Sequence, residues 1–218
     1  MDQREISQLL QPFLGNDLSA ILTESQLCQL STYLDLLLRW NSRINLTAVR
    51  QPDAIVTRHF GESLFTGRHL FPAAASGSGN TSLVDVGSGA GFPGLPLKIW
   101  SHTTQLTLIE SNQKKATFLR EVVRALPLQS AEVFVGRAED FHRQVDTVTL
   151  RAVEQFERSL PVAAQIVAPN GRLALLIGAA QLPTARKLAA NFAWQDPLPI
   201  PLSSNRVLFI GIKEKEST

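Results

Sequence analysis

Ser82-Leu-Val-Asp-Val-Gly-Ser-Gly-Ala-Gly-Phe-Pro-Gly94 is the stretch on which the fold turns. A short apolar strand runs into a loop with glycines at 87, 89, 91 and 94. Glycine reaches positive φ without steric cost, and its missing Cβ lets a ligand touch the backbone. A helix expected from Pro93 to Trp100 would turn its first N–H groups toward the same crevice. Such a unit belongs in an open α/β sheet, where ligands settle at the carboxyl ends of strands, at the point where strand order reverses.

On the C-terminal side, strands are expected at 105–110, 131–135, 146–150 and 172–177, with helices at 112–126 and 155–167. That alternation implies crossover connections and a parallel sheet covered on both faces. The end differs. A helix over 180–192 is followed by strands at 198–202 and 206–212, separated only by Ser203-Ser-Asn205, which predicts an antiparallel hairpin. Seven strands ending in a hairpin set this chain apart from a plain dinucleotide-binding domain.

The N-terminal side is helical. Leu27, Leu30, Leu34, Leu37 and Leu38 form an apolar stripe of helical period, opened by a capping box at Thr23-Glu-Ser-Gln26. Pro52 suits the first turn of a further helix running toward Leu64. The small, polar run from Pro72 to Ser82 reads as a linker. The expected organisation is a helical extension over 1–71, a linker over 72–82 and a ligand-binding domain over 83–218.

The chain has 218 residues, 44% hydrophobic and 18% charged, which is ordinary for a globular protein with a full core. No apolar run approaches the ~18 residues of a membrane span, and the polar start carries no signal pattern. A cytoplasmic monomer is expected. A single cysteine, Cys28, excludes an internal disulfide and a cysteine-rich zinc site, and is expected as a buried helix thiol. His59, His69, His102 and His142 lack metal-ligand spacing, so no metal is expected. The net charge of +2 says little, but its distribution says more. Arg39, Arg43, Arg50, Arg58 and Arg68 face only Asp53 and Glu62 across residues 39–68, and Lys114, Lys115, Arg120 and Arg124 share one predicted helix. These groups suit a phosphate backbone or an ordinary solvated face, and composition does not separate the two.

Two ligands compete for the glycine loop. Gly89-Ala-Gly-Phe-Pro-Gly94 satisfies the dinucleotide fingerprint, which alone is weak. The carboxylate of Asp85, expected at the mouth, would repel a pyrophosphate and suit the ammonium of a methionine moiety. Glu110 ends the next strand, where it could accept hydrogen bonds from both hydroxyls of a ribose. The acid-x-Gly-x-Gly-x-Gly pattern resembles motif I of class I methyltransferases. The expected fold is accordingly the Rossmann-like α/β fold of S-adenosylmethionine methyltransferases, with seven strands, a C-terminal antiparallel hairpin and an N-terminal helical extension.

The matches extend well beyond that motif. Trp40-Asn41, Asn45-Leu-Thr47, Arg58-His-Phe60 and Ser63-Leu64 precede it; Glu110-Ser111, Lys114-Lys115, Phe118-Leu119, Arg137-Ala-Glu139, Arg151-Ala152, Arg206 and Lys213 follow it. Over about residues 27–213 the series resembles the bacterial glucose-inhibited division protein B family, or ribosomal RNA small-subunit methyltransferase G. The resemblance implies methylation of N7 of one guanine (guanine-527) in 16S ribosomal RNA. The cofactor it implies is S-adenosylmethionine, with S-adenosylhomocysteine as product. The implied partner is 16S rRNA, the small ribosomal subunit or an assembly intermediate, with no membrane. Asp85, Gly87, Gly89, Gly91, Phe92, Glu110, Ala138, Glu139 and Arg151 are the expected cofactor residues. Arg39, Arg43, Arg50, Arg58, Lys114, Lys115 and Arg206 are candidate RNA contacts.

Two departures stand out: the family's Arg-His-Phe-Leu-Asp-Ser is here Arg58-His-Phe-Gly-Glu-Ser63, and Ile177 replaces a lysine. No catalytic acid–base residue is expected, because guanine N7 offers a lone pair and carries no proton. Arg151 could hold an anionic group in a bidentate fork or form a plain salt bridge. Glu139 could be a helix-start carboxylate and no more. Trp40 and Phe60 read as packing rather than base-stacking residues. A class I methyltransferase with another substrate and a non-catalytic RNA-binding domain of this fold are the alternatives.

Overall fold

Reciprocal caps start both N-terminal helices. Glu5 N–H donates to Asp2 Oδ1 at 2.8 Å and Asp2 N–H to Glu5 Oε2 at 2.9 Å, opening α1 (Gln3–Leu14). Thr23 and Gln26 do the same for α2 (Glu24–Asn41), where the sequence places a capping box. The computed structural model describes residues 1–15, 22–72, 81–153 and 155–215. Leu30, Leu34 and Leu37 are buried, with Leu27 and Leu38 packed beside them. Cys28 corrects the expectation of a buried thiol: it is exposed. One residue past Leu27 the helix has turned by about 100°, which carries position 28 off the inward face. Pro52 opens α3 (Pro52–Ile55), which continues through a π-helical segment (Val56–Gly61) into α4 (Glu62–Leu70). Of the expected linker, residues 73–80 lie outside the described residues.

The strands are β1 (Ser82–Val86), β2 (Gln105–Glu110), β3 (Ala131–Val135), β4 (Val145–Arg151) and β5 (Val167–Gly178), followed by β6 (Phe192–Trp194), β7 (Leu198–Pro199) and β8 (Arg206–Lys213). Their order is β3-β2-β1-β4-β5-β8-β6, with β7 also on β8. The first five are parallel. β8 runs antiparallel to β5, and β6 and β7 pair antiparallel with different halves of β8. The hairpin is as expected, and the sheet has seven positions because two short strands share its edge. The additional strand, β6, shortens the expected helix: α8 spans only Leu182–Leu188. Phe192 and Trp194 alternate with Ala193, a two-residue period that suits a strand.

Connecting helices α5 (Gly94–Trp100), α6 (Gln113–Ala125) and α7 (Phe156–Ile166) cover the sheet. One apolar cluster joins Tyr33, Phe60 and Leu64 of the N-terminal helices to Leu95, Leu106 and Phe118. A second packs Leu160 and Ala185 against Val148, Leu173 and Phe209. The chain steps from β1 outward to β2 and β3, then returns to β4 on the other side of β1. That reversal places the expected crevice between the ends of β1 and β4. Among the described residues, no helix is long and apolar enough to cross a membrane.

Candidate functional site

The loop after β1 is held from three directions. Gly87, Gly89 and Gly91 all have positive φ, at 67°, 57° and 91°. A Cβ at Gly89 would meet nothing nearer than the Gly87 carbonyl at 3.8 Å, so this residue offers bare backbone to open space. Gly89 N–H donates to Glu110 Oε2 at 2.8 Å, and Asn112 N–H donates to Glu110 Oε1 at 2.7 Å. The Glu110 carboxylate is thus fixed at the end of β2, and each oxygen keeps a further lone pair.

Asp85 does not stand at the mouth. It has no exposed surface; Oδ2 accepts from Gly94 N–H at 3.1 Å and Oδ1 from Thr149 Oγ1 at 2.8 Å. Burial pushes its carboxyl up to about 6, against those two hydrogen bonds, one from Ser88 and the charge of Arg151. The expected position at the mouth is thereby corrected: Asp85 staples the loop to α5 and to β4. The same bond takes up Gly94 N–H, the first of α5. Gly91 also faces inward, where a Cβ would collide with Leu95 and the Tyr33 hydroxyl. Tyr33 Oη in turn donates to the Ala90 carbonyl, tying α2 to the loop.

An aromatic ladder continues that tie. His59 stacks on Phe92 (4.7 Å between centroids), Phe92 on Tyr33 (5.4 Å), and Tyr33 on Phe60 (5.2 Å). Trp40 meets Phe118 edge-on. Trp40 and Phe60 are thus packing residues, as their spacing suggests.

Asn41 explains a motif that the sequence quotes without a reason. Its Oδ1 accepts from Leu46 N–H at 2.9 Å and Thr47 N–H at 3.0 Å, and its Nδ2 donates to the Thr47 carbonyl at 3.0 Å. Thr47 Oγ1 is thereby held 2.8 Å from His59 Nε2. On the other ring nitrogen, Arg151 Nη2 lies 3.0 Å from His59 Nδ1. An arginine only donates, so Nδ1 accepts and the proton resides on Nε2, directed at Thr47. Burial, followed by the charges of Arg151, Arg58 and Arg206, lowers His59 to about 2. The ring is neutral across the physiological range.

The two hydrogens of that Arg151 nitrogen are shared among three acceptors: His59 Nδ1, the Arg58 carbonyl at 2.8 Å and Glu62 Oε2 at 3.0 Å. Glu62 Oε1 pairs with Arg206 Nη2. Burial raises the Glu62 carboxyl, opposed by Arg151, Arg206 and Arg58. A Cβ at Gly61 would lie 2.5 Å from the Phe13 ring, so α1 fills the space that a larger residue would take. Ile177 is buried in the sheet core opposite Val207, with no polar role.

A cleft of about 800 Å³ opens over these strand ends. Of the expected cofactor residues, Gly87, Gly89, Phe92, Glu110, Ala138, Glu139 and Arg151 line it, while Asp85 and Gly91 lie beneath. Of the candidate RNA contacts, Arg58, Lys115 and Arg206 line it. Arg39, Arg43, Arg50 and Lys114 are exposed elsewhere. The sequence reading missed Arg158 in the lining and quoted Thr47 and Arg137 only as motif residues. Arg158 lies in the first turn of α7, seven residues after the end of β4 at Arg151, a spacing no motif marks. Six lining cations, Arg58, Lys115, Arg137, Arg151, Arg158 and Arg206, face two described carboxylates, Glu110 and Glu139.

A family model described as rRNA small subunit methyltransferase G matches residues 26–201. A protein of that name from Chloroflexus aggregans is 38% identical over 205 residues, covering 88% of this chain and 84% of its own. One from Chromobacterium violaceum is 35% identical over 181 residues, covering 82% and 83%. Among solved structures, a ribosomal protein L11 methylase from Lactobacillus delbrueckii subsp. bulgaricus superposes with a TM-score of 0.59 at 11% identity, covering 73% and 80%. TYW2 of M. jannaschii, solved with AdoMet, gives 0.54 at 15% identity, covering 70% and 75%. At such identities these two speak for the fold alone, that of class I methyltransferases.

Proposed function

Because the chain belongs to the rRNA small subunit methyltransferase G family, we propose that it methylates N7 of a single guanine, guanine-527, in 16S rRNA, with S-adenosylmethionine as donor. The observation that carries this reading is one cleft with two unlike ends. Over β2 and β3, Gly89 offers bare backbone beside the fixed Glu110 carboxylate and the Ala138–Glu139 turn. Over β4 and β8, arginines dominate. A neutral nucleoside and a polyanion suit those two ends respectively.

The residues fit the cofactor. Glu110 would accept from its ribose hydroxyls, Gly87 and Gly89 would let it approach the loop, and Ala138 with Glu139 would border its adenine. A dinucleotide fits less well, since Asp85 already uses the Gly94 amide that a pyrophosphate would want. When bound, S-adenosylmethionine supplies an electrophilic methyl group. The protein's own work is alignment and exclusion of water, because guanine N7 needs no proton removed. His59 cannot serve as a base near neutrality, being held neutral and weakly basic; it props the arginine wall instead. Arg58, Arg158 and Arg206 would take RNA phosphates at the end over β4 and β8, and Lys115 of α6 and Arg137 after β3 would extend the contact beyond it. The test is single-turnover methylation of 16S rRNA and of small subunits lacking the modification, with the product nucleoside identified by mass spectrometry. Methyl transfer to another base or to protein contradicts the reading.

A further inference from the structure

Two arginines from different strands converge on Glu62. Arg151 ends β4 and Arg206 begins β8, with β5 between them. Glu62, 2% exposed, gives one carboxylate oxygen to each. Ser203 Oγ accepts from Arg206 Nε at 3.3 Å and from its N–H at 3.2 Å, holding that fork from behind. Arg58, exposed and reaching the same cleft, completes the corner. With His59 neutral, the three guanidiniums of Arg58, Arg151 and Arg206 outnumber the carboxylates they feel, Glu62 and the buried Asp85, among the described residues. Both oxygens of Glu62 are committed inward. Both arginines line the cleft, the Arg151 side chain 7% and the Arg206 side chain 25% exposed, and Arg206 retains guanidinium donors beyond those it spends on Glu62 and Ser203.

Buried charges persist only when paired, and a carboxylate shared between two guanidiniums fixes both at once. What such a corner lacks is an external oxyanion, the group that arginine forks match best. Its place over β4, β5 and β8, opposite the Glu110 end, favours the acceptor's side of the cleft. We propose that Glu62 is a positioning residue that fixes Arg151 and Arg206 as a two-arginine clamp for one phosphodiester of the substrate RNA. The inference rests on the RNA-methylation reading above.

Glu62→Gln separates a clamp from simple attraction by sign. It removes a negative charge, so a cleft that gathers RNA by net charge alone binds it more tightly. A clamp that has lost its anchor binds it more weakly. Full-length wild type, Glu62→Gln, Glu62→Asp and Arg206→Gln are titrated with 16S rRNA and small subunits from cells lacking the gene, and separately with S-adenosylmethionine. Glu62→Gln and Arg206→Gln should each weaken RNA binding by about tenfold, the scale of one lost charged hydrogen bond. The KM for RNA should rise more than kcat falls, cofactor affinity should stay within about twofold on that same scale, and Glu62→Asp should rescue part of the loss. Arg206→Gln should also flatten the salt dependence by about one counterion. Tighter or unchanged RNA binding by Glu62→Gln overturns the clamp. So does a matching loss of cofactor affinity, which would assign the corner to the cofactor's carboxylate. Should Glu62→Gln fail to fold, Arg206→Gln decides, and undiminished RNA affinity overturns the proposal. Wild-type protein that binds neither RNA nor subunit contradicts the methyltransferase reading instead, a distinct result.

Discussion

Gly89 and Glu110 hold each other in place: the glycine N–H donates to the carboxylate at 2.8 Å, linking the tip of the loop after β1 to the end of β2. The strand-end acid is thereby aimed before any ligand arrives. Gly89→Val places a branched side chain in the open space at that tip and in a left-handed conformation. We expect a stability loss of about 1–2 kcal/mol and abolished binding of S-adenosylmethionine by calorimetric titration. Undiminished binding by the variant, or NAD binding by the wild type, contradicts the site.

Gly61 and Phe13 form a matched pair, since a Cβ at 61 would strike the ring. Gly61→Leu should destabilise the chain by about 1–3 kcal/mol, the cost of overpacking. Phe13→Ala alone should cost about 3–5 kcal/mol through the cavity it leaves. Combined, they should cost less than their sum, because leucine fills the vacated volume. Denaturant unfolding of the four proteins measures the coupling, and simple additivity contradicts it.

These contacts show what the sequence could and could not disclose. The strand–loop–helix period, the capping box at Thr23 and the terminal hairpin are local signals and were legible. Asp85 was recognisable as a motif residue. Its inward direction was not, because that depends on Thr149, 64 residues away. The Glu62 corner likewise joins a helix to two distant strands. Cys28 was misplaced because one apolar stripe does not say how far burial spreads around a helix.

His59 gives the protein a predictable acid sensitivity. Its folded value of about 2 lies below the ordinary 6.5, so the unfolded chain binds one more proton between those limits. The stability contributed by the neutral ring is complete above pH 6.5 and is lost as pH falls below it, at about 1.4 kcal/mol per pH unit. Unfolding free energies of wild type and His59→Gln should diverge in slope between pH 6.5 and 4. Equal slopes contradict the neutral, largely enclosed ring.

The same neutrality bears on rate. Single-turnover methylation should be nearly flat from about pH 6 to 8.5, since no group is asked to take a proton. Replacing His69, His102 or His142 should leave the rate within about tenfold, short of the 10²–10⁴-fold typical of a lost acid–base residue. A bell-shaped profile that vanishes with one histidine contradicts the positioning mechanism.

Arg39, Arg43 and Arg50 lie exposed outside the cleft. If they dock RNA, replacing all three by glutamine should weaken RNA binding and lower its salt slope by roughly one counterion per lost contact, with cofactor affinity unchanged. An unaltered slope makes them a solvated face.

Mass-spectrometric mapping of modified guanines in 16S rRNA, from cells with and without the gene, tests the central claim most directly. Loss of one 7-methylguanosine on deletion, restored by the wild-type chain and not by Gly89→Val, is the predicted result. An identical set of modified guanines in both cell lines contradicts it.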